Sequence, residues 1–411
     1  MPQEHDAPPC SPSSSNTSII RRPSKQIRVG NVLVGGDAPI SVQSMLTQDT
    51  RDTKTCIDEI KRLADAGCEI IRLAVPNSDA AEAFKTIVPA SPIPVIADIH
   101  FDYRLALQSA DNGVHGLRVN PGNIGNKEFL KKVVAKAKER ELPIRVGVNG
   151  GSVEKQVKEL YPDDLVTQLV ESAKLNVRLL EEEDFDQIKV SVKASDPLQA
   201  IEAYRRVAQE IPYALHLGVT EAGTLKRGLI KSGVALGTLL GEGIGDTIRV
   251  SLTADSIEEV FAGHEILKSL GLRRSGSDLV SCPACGRCAI DLHGITNKVE
   301  EMVNRYDRLY GENPLHIAVM GCFVNGPGEC GRADLGISGG RGNYFVFKGE
   351  EKVAVIQTEE EALAFFEEEL VKAYQGATEL SKVNNAQVMD ADELVQQLVD
   401  DEQQAASLTS V

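Results

Sequence analysis

Residues 40–66 open with the apolar run Ile40-Ser-Val-Gln-Ser-Met45 and continue, after a polar stretch, with Asp52-Thr-Lys-Thr-Cys-Ile-Asp-Glu-Ile-Lys-Arg-Leu-Ala-Asp-Ala66. The first segment has the length and composition of a buried strand. The second segment spaces its apolar residues so that they share one face of a helix: Cys56, Ile57, Ile60, Leu63 and Ala64. The stretch therefore predicts a strand followed by a helix that packs against it.

The same alternation recurs along the chain, because each further apolar run is followed by a segment with helical spacing. The predicted strands are Ile40–Met45, Glu69–Val75, Pro94–Asp98, Gly116–Val119, Ile144–Val148, Gln187–Val192, Leu215–Val219 and Thr247–Ser251. Eight strand–helix units in about 230 residues are typical of a (β/α)₈ barrel, the TIM barrel. A doubly wound open sheet stays the alternative, since periodicity does not show whether a sheet closes.

The regions around the predicted barrel differ from it. Residues 26–36 predict a small hairpin at the bottom of the barrel, so the substrate-binding barrel domain spans residues 26–270. Residues 271–375 contain five of the eight cysteines and predict a small α+β domain. Residues 1–25, rich in Ser and Pro, and the acidic residues 376–411 predict disordered tails.

Composition excludes several classes of protein. A net charge of −16 and the absence of Trp argue against nucleic acid and anionic membranes as partners. No run approaches the ~20 apolar residues of a membrane span. Eight cysteines in 411 residues do not form a disulfide scaffold, so we expect a protein of the reducing cytoplasm.

The ends of the predicted strands carry cations although the chain is acidic. In a TIM barrel this edge holds the active site. The polar residues there are Arg72, Arg118, Asn120, Arg145, Asn149, Lys189, Lys193, Arg249 and Ser251. Asp98 or Glu221 can pair with some of the cations, but six together predict a polyanionic ligand, most simply a diphosphate. The absence of a Gly-x-x-x-x-Gly-Lys-Ser/Thr loop disfavours a nucleoside triphosphatase.

Titratable groups accompany these cations. Asp98, His100, His216 and Glu221 lie at or near the same strand ends and are candidates for proton transfer. A carboxylate after a strand is also a common helix N-cap, so both interpretations of Glu221 stay open.

Two cysteine segments predict a metal or iron–sulfur site: Ser281-Cys-Pro-Ala-Cys-Gly-Arg-Cys288 and Gly321-Cys-Phe-Val-Asn-Gly-Pro-Gly-Glu-Cys330. Cys282, Cys285 and Cys322 supply three ligands. Cys288, Glu329 and Cys330 compete for the fourth position. Zinc is an alternative to a cluster, although zinc ribbons usually repeat the Cys-x-x-Cys pair. A cluster with four cysteines would indicate a plain electron carrier.

Six segments carry a family resemblance: Ala97-Asp-Ile-His-Phe-Asp-Tyr-Arg104, Arg118-Val-Asn-Pro-Gly-Asn-Ile-Gly125, Lys189-Val-Ser-Val-Lys-Ala-Ser195, Thr220-Glu-Ala-Gly223, Ser281-Cys-Pro-Ala-Cys-Gly-Arg287 and Gly321-Cys-Phe-Val-Asn-Gly-Pro-Gly-Glu329. From about residue 27 to 370 the chain resembles the 4-hydroxy-3-methylbut-2-enyl diphosphate synthases of the non-mevalonate isoprenoid pathway, in their two-domain form. The resemblance implies reductive ring opening and dehydroxylation of 2-C-methyl-D-erythritol 2,4-cyclodiphosphate.

The resemblance also implies roles for residues of this chain. A 4Fe–4S cluster would be held by Cys282, Cys285, Cys322 and Glu329, and the weakly held carboxylate would leave the cluster open for catalysis. Glu221 and Glu329 would be catalytic. The substrate would be bound by Arg72, His100, Arg118, Asn120, Arg145, Asn149, Lys193, Arg249 and Ser251.

The implied partners are a ferredoxin or flavodoxin as electron donor and a second copy of the chain in a head-to-tail homodimer. Both kinds of donor are typically acidic. A set of basic residues is the predicted docking patch: Arg273, Arg274, Arg287, Lys298, Arg305 and Arg308.

Overall fold

A computed structural model describes residues 19–124, 126–273, 276–310, 314–340 and 342–376. The chain divides into two compact units, Met1–Arg273 and Arg274–Val411. The tails predicted for residues 1–18 and 377–411 lie outside the described residues. None of the helices in the described ranges is both long and apolar enough to span a membrane.

The N-terminal unit contains a closed barrel of eight parallel strands, which confirms the TIM-barrel prediction and overturns the open-sheet alternative. After the hairpin strands β1 (Ile27–Val29) and β2 (Val32–Val34), the barrel strands are β3 (Ser41–Met45), β4 (Ile70–Ala74), β5 (Val95–Asp98), β6 (Gly116–Val119), β7 (Ile144–Asn149), β8 (Ile188–Lys193), β9 (Ala214–Leu217) and β10 (Thr247–Ile248). The last strand closes the sheet, because Thr247 of β10 pairs with His216 of β9 and with Ser41 of β3.

Helices cover the outside of the barrel: α1 (Thr53–Asp65), α2 (Ser78–Ala90), α3 (Tyr103–Asp111), α4 (Lys127–Glu139), α5 (Lys155–Leu160), α6 (Leu165–Glu181), α7 (Pro197–Glu210), α8 (Leu225–Gly241) and α9 (Ser256–Ser269). Seven of them begin at an Asp or Asn whose side chain accepts a backbone N–H of the first turn: Asp52, Asn77, Asp102, Asn126, Asp164, Asp196 and Asp255. These caps fix where each loop at the carboxyl edge of the barrel ends.

The hairpin of β1 and β2 packs against the bottom of the barrel. Ile27, Val29 and Val34 form one apolar cluster with residues near the amino ends of barrel strands: Ile70, Ile96 and Ala214. The carboxyl ends of the barrel strands lie at the opposite edge.

The sequence placed residues 21–25 in the N-terminal tail, but they pair with the barrel. Arg21 Nη2 and Ser24 Oγ donate to the buried carboxylate of Asp246, over 3.0 and 2.7 Å. The backbone N–H groups of Arg22 and Lys25 donate to carbonyl oxygens of residues 243 and 212. These residues belong to the folded unit because Asp246 is buried and its carboxylate needs hydrogen-bond donors, which Arg21 and Ser24 supply.

The C-terminal unit is built around a five-stranded mixed sheet: β11 (Asp278–Ser281), β12 (His316–Met320), β13 (Leu335–Gly340), β14 (Asn343–Lys348) and β15 (Glu351–Ile356), in that spatial order. The first three strands are parallel and the last two antiparallel. Three helices complete the unit: α10 (Leu292–Tyr310), the short α11 (Gly326–Cys330) and α12 (359–376). This is the α+β architecture that the sequence predicts, although the spacing of apolar residues did not predict β11, β13 or α11.

A hydrogen-bonded group joins α10, α12 and the start of β11. The Asp307 carboxylate accepts the Ser277 backbone N–H and hydroxyl, both over 2.7 Å, and the Tyr374 hydroxyl over 2.6 Å. Removing the carboxylate leaves these donors without their acceptor.

We therefore expect Asp307→Ala to lower the free energy of unfolding of the C-terminal unit by about 1–3 kcal/mol. Glu301→Ala changes an exposed carboxylate of the same helix and serves as the control. Urea unfolding of both variants checks this; equal stabilities would contradict the role given to Asp307.

Candidate active site

A cavity of about 250 Å³ opens at the carboxyl edge of the barrel. Its lining consists of Met45, Arg72, Asp98, His100, Arg118, Arg145, Asn149, Ser191, Lys193, Thr220, Arg249 and Ser251. Eight of the nine residues predicted to bind substrate are among them. The structure therefore brings together, in one pocket, side chains from strands that are more than 170 residues apart in the sequence.

The alternation of side chains along each strand explains why these residues meet. On β8, Lys189, Ser191 and Lys193 are spaced by two and share the inner face. The parallel register places Asn149 beside Lys193 and Arg145 beside Lys189. Neighbouring strands thus place their inward-facing side chains next to one another inside the barrel.

Asp98 is the counter-charge of one side of the cavity. Its carboxylate lies 3.1 Å from Arg118 Nη1, 3.5 Å from Arg72 Nε and 3.6 Å from His100 Nε2. Although burial raises the pKa of this carboxyl, the two guanidinium groups outweigh it and hold the pKa below its usual range. Asp98 therefore stays ionised and fixes Arg72 and Arg118.

Glu259 of α9 plays the same part on the other side. Its carboxylate lies 3.2 Å from Arg249 Nη2 and accepts the Ser44 hydroxyl and the Leu252 backbone N–H. Arg249 is thereby held against the wall that α9 covers.

Arg145 and Lys193 have no such partner. Nε and Nη1 of Arg145 are buried without a hydrogen-bond acceptor in the described residues. Burial, followed by the neighbouring cations, lowers the pKa of Lys193 well below its usual value, and the same causes act on Arg145. Buried cations of this kind are costly unless an anion meets them. The cavity is therefore built to receive negative charge.

Two glycines that the sequence analysis did not single out make room for the cations. A Cβ on Gly147 would lie 2.6 Å from Arg118 Nε, and a Cβ on Gly218 would lie 2.6 Å from Lys193 Nζ. Gly147 stands on the inner face of β7 and Gly218 directly follows β9, each two positions from another pocket or barrel-interior residue. That spacing was the available signal for them, as it was for Met45, Ser191 and Thr220.

Two predicted site residues do not line the cavity. The Asn120 side chain is buried and accepts the Gly147 backbone N–H over 2.9 Å, so it supports the wall behind Arg118. Glu221 is exposed, has a positive φ of 52° and follows Thr220, which does line the cavity. The structure thus places Glu221 at the rim and leaves its role a prediction.

The two cysteine segments meet at one edge of the C-terminal sheet. Cys282 directly follows β11, and Cys322 comes two residues after β12, its parallel neighbour. The Gly321 backbone N–H donates to Cys282 Sγ over 3.3 Å. A Cβ on Gly321 would lie 2.6 Å from Cys288 Sγ, so only glycine fits between these sulfurs.

The surroundings of Cys322 favour the thiolate form of its side chain. Backbone N–H groups of Asn325 and Val324, and then the charge of Arg287, lower the pKa of its thiol. Arg287 belongs to the first cysteine segment, so this segment stabilises the thiolate form of a cysteine in the second.

The spare cysteines differ in their surroundings. Cys330 is fully buried with Ala318, Met320 and Phe347 and packs against Gly336 of β13; burial raises the pKa of its thiol to about 12. It is therefore a core residue. Cys288 is half-buried near Gly321 and donates to the Ile290 carbonyl oxygen over 3.3 Å, while Glu329 is exposed on α11.

The cysteine segments fit a cluster better than a single ion. In the described ranges no three His, Cys, Asp or Glu side chains converge closely enough for one metal ion. Ligands of one zinc ion share a centre about 2.3 Å from each sulfur, whereas a four-iron cluster spreads its ligands over several metal atoms. The low-pKa Cys322 and the glycine-lined space beside Cys282 suit the latter.

The predicted basic patch is smaller than the sequence indicated. Lys298 pairs with Glu359 over 2.7 Å and Arg305 with Glu367 over 3.2 Å. Arg273 pairs with Glu69 in the N-terminal unit. Arg274 and the Arg308 side chain lie outside the described residues, and Arg287 is exposed within the first cysteine segment, so the docking patch stays a prediction.

Comparison with known proteins yields one family. The model of the GcpE TIM-barrel domain matches residues 24–264, and that of the GcpE protein C-terminal domain matches residues 278–372. A relative from Geobacter sulfurreducens, named 4-hydroxy-3-methylbut-2-en-1-yl diphosphate synthase (flavodoxin), is 56% identical over 80% of this chain and 92% of its own length. Relatives of the same name from Dehalococcoides mccartyi and Clostridium acetobutylicum are 54% and 50% identical, over 83% and 82% of this chain and 96% and 95% of their own lengths.

The close approach at Gly147 can be tested directly. Gly147→Ala should force Arg118 away from Asp98 and lower the free energy of unfolding by about 1–3 kcal/mol. Gly151→Ala is the matched control, because a Cβ there meets no atom within 4 Å. Urea unfolding that fails to separate the two variants would show that Arg118 does not need this space.

Proposed function

The chain belongs to the GcpE family, and from this premise we propose that it reduces 2-C-methyl-D-erythritol 2,4-cyclodiphosphate to 4-hydroxy-3-methylbut-2-enyl diphosphate, an isoprenoid precursor. The observation that carries the proposal is the group of cations that lines the barrel cavity, where Nε and Nη1 of Arg145 are buried without a hydrogen-bond partner in the described residues. A diphosphate supplies the missing anion. Guanidinium groups bind phosphoryl oxygens with two parallel hydrogen bonds, which also fixes orientation.

The cations of the cavity differ in role according to whether a carboxylate already pairs with them. Asp98 and Glu259 hold Arg72, Arg118 and Arg249 in place, so these form a rigid wall. Arg145 and Lys193 form no ion pair among the described residues, and the negative charge of the substrate favours their charged forms. The short polar side chains of Asn149, Ser191 and Ser251 line the same cavity and complete the hydrogen bonding.

The reaction requires electrons and a proton. The dianionic substrate takes up two electrons and one proton, and yields a trianionic product and water. One carbon–oxygen bond to phosphate and one to a hydroxyl break, and a carbon–carbon double bond forms between the two carbons. Lys193 and the rim residues His100 and Glu221 are the proton-carrying groups nearest the substrate; we assign the departing hydroxyl's proton to Glu221.

The C-terminal unit supplies the redox function. We assign Cys282, Cys285, Cys322 and Glu329 as ligands of a 4Fe–4S cluster, which when bound delivers the two electrons. The backbone N–H groups near Cys322 and the Arg287 side chain hold that thiolate ready. Cys330 is excluded by its apolar burial, and Cys288 is the remaining competitor for the position given to Glu329.

The electron donor, assembly and location belong to the same proposal. The names of the relatives specify flavodoxin, and Arg287 offers an acidic donor an exposed positive charge beside the cysteines. We propose a head-to-tail homodimer in which one chain's cysteine domain serves its partner's barrel, in the cytoplasm. The alternative, a zinc-stabilised barrel that binds phosphosugars, is not favoured, because the names of the relatives specify a diphosphate synthase and flavodoxin.

Anaerobic purification and turnover test the function. We expect brown protein with iron and sulfide in near-equal amounts, which converts the cyclic diphosphate in the presence of reduced flavodoxin. Colourless, zinc-loaded protein without this activity would support the phosphosugar-binding alternative instead.

The ligand assignment is tested by three variants. Cys322→Ser should lose most of its iron, since the low-pKa thiolate is gone. Glu329→Ala should retain the three thiolates and part of its iron but lose at least about tenfold in turnover. Cys288→Ser is the matched comparison and should keep both; loss of iron in Cys288→Ser with normal turnover of Glu329→Ala would assign the fourth position to Cys288.

A further inference from the structure

A second level of polar side chains lies inside the barrel below the substrate cavity. We call it the lower layer, and it consists of Gln43, Lys189, His216 and Thr247. Each stands two positions before a residue at the cavity level: Met45, Ser191, Gly218 and Arg249. All four are at most 2% exposed.

The lower layer has no hydrogen-bond partners among the described residues. Both amide atoms of Gln43, Lys189 Nζ, both ring nitrogens of His216 and the Thr247 hydroxyl are buried and unpaired. TIM barrels usually fill this level with Val, Ile and Leu. Unpaired buried groups are costly, and internal water that makes two to four hydrogen bonds is their ordinary remedy. The layer is therefore a polar space inside the barrel, suited to hold water.

The charges that face Lys189 are mostly positive. Burial lowers its pKa to about 7, helped by Arg145 on β7 and Arg72 on β4 and opposed by Asp246 before β10. Asp246 already accepts hydrogen bonds from Arg21, Ser24 and the Leu215 backbone N–H.

His216 on β9 faces only cations. Burial lowers its pKa well below the usual value, and Arg145, Lys193, Lys189 and Arg72 act in the same direction. In the free protein both shifts favour the uncharged forms of His216 and Lys189.

The lower layer connects to the substrate cavity at Gly218. This residue follows His216 on the inner face of the barrel, and Lys193 Nζ fills the space that a side chain there would occupy. On β8, Ser191 lines the cavity and stands between Lys189 and Lys193.

We propose that the lower layer is a proton store, in which Lys189 takes up a proton when the substrate's diphosphate enters the cavity and releases it when the diphosphate leaves. The inference rests on the proposed function. The substrate's negative charge favours the charged form of Lys189, so the complex binds more protons than the free protein. The one proton that the reductive step consumes is the proton assigned to Glu221, so uptake and release by Lys189 leave the balance of that step unchanged.

Calorimetry of substrate binding to the oxidised holoenzyme tests the store, with no reductant and therefore no turnover. Titrations in buffers of different ionisation enthalpy give the number of protons taken up per cyclic diphosphate bound. The substrate itself has no ionisation between pH 6 and 8, since each phosphorus carries one strongly acidic oxygen. At pH 8 the wild type should take up about one proton more than Lys189→Met, and the difference should close towards pH 6.

Lys61→Met, which removes an exposed lysine of α1, is the control and should match the wild type. If Lys189→Met does not fold, Lys189→Gln takes its place, because Lys193 lines the cavity and could also take up a proton in the wild type. Equal uptake in wild type and Lys189→Met, or a wild-type uptake that does not rise with pH, overturns the store and leaves the proposed function intact. Absence of substrate binding overturns both.

Discussion

The ion pairs of Asp98 with Arg72 and Arg118 are the constraint on which the barrel mouth depends. They neutralise part of a buried group of cations and leave Arg145 and Lys193 without counter-charge. Full pairing would give a stable but inert barrel interior. Too little pairing would place so much positive charge in a low-dielectric space that folding would suffer. The protein keeps two carboxylates, Asp98 and Glu259, at the walls and leaves the centre to its ligand.

The two halves of the proposed site differ in the charge that the protein prepares in each. The barrel prepares positive charge for a phosphorylated substrate, while the cysteine segments prepare a thiolate at Cys322 through backbone N–H groups and Arg287. Both are preorganised by groups that the fold holds rigidly: strand ends in the first case, tight glycine-containing turns in the second. Neither requires a side chain to move far before the ligand arrives.

The sequence was a good guide wherever periodicity is strict. The eight barrel strands lie where alternation predicted them, and seven acidic or amide caps mark the helix starts. The cavity residues followed, because the carboxyl ends of parallel strands must meet. The sequence could not predict that the barrel closes. Closure depends on the pairing of Thr247 in the last barrel strand both with β9, the strand before it, and with β3, the first barrel strand.

Ion pairs and side-chain packing could not be predicted from the sequence, because both depend on residues that are far apart in the chain. The sequence indicated six cations but not that Glu259 holds Arg249, or that Asn120 turns away from the cavity towards Gly147. It offered Cys330 as a cluster ligand, and only the burial of that thiol against Gly336 removes it. The sequence also did not indicate that Glu359 and Glu367 pair with basic residues of the predicted docking patch, because these carboxylates belong to another helix. Gly147 and Gly218 carried no signal beyond their spacing.

A crystal structure of the protein with the cyclic diphosphate bound tests the account most directly. The account predicts phosphoryl oxygens within hydrogen-bond distance of the Arg145 guanidinium and Lys193 Nζ, with Asp98 still paired to Arg72 and Arg118. A diphosphate bound elsewhere, or bound in the cavity while Arg145 and Lys193 stay unpaired, would contradict it.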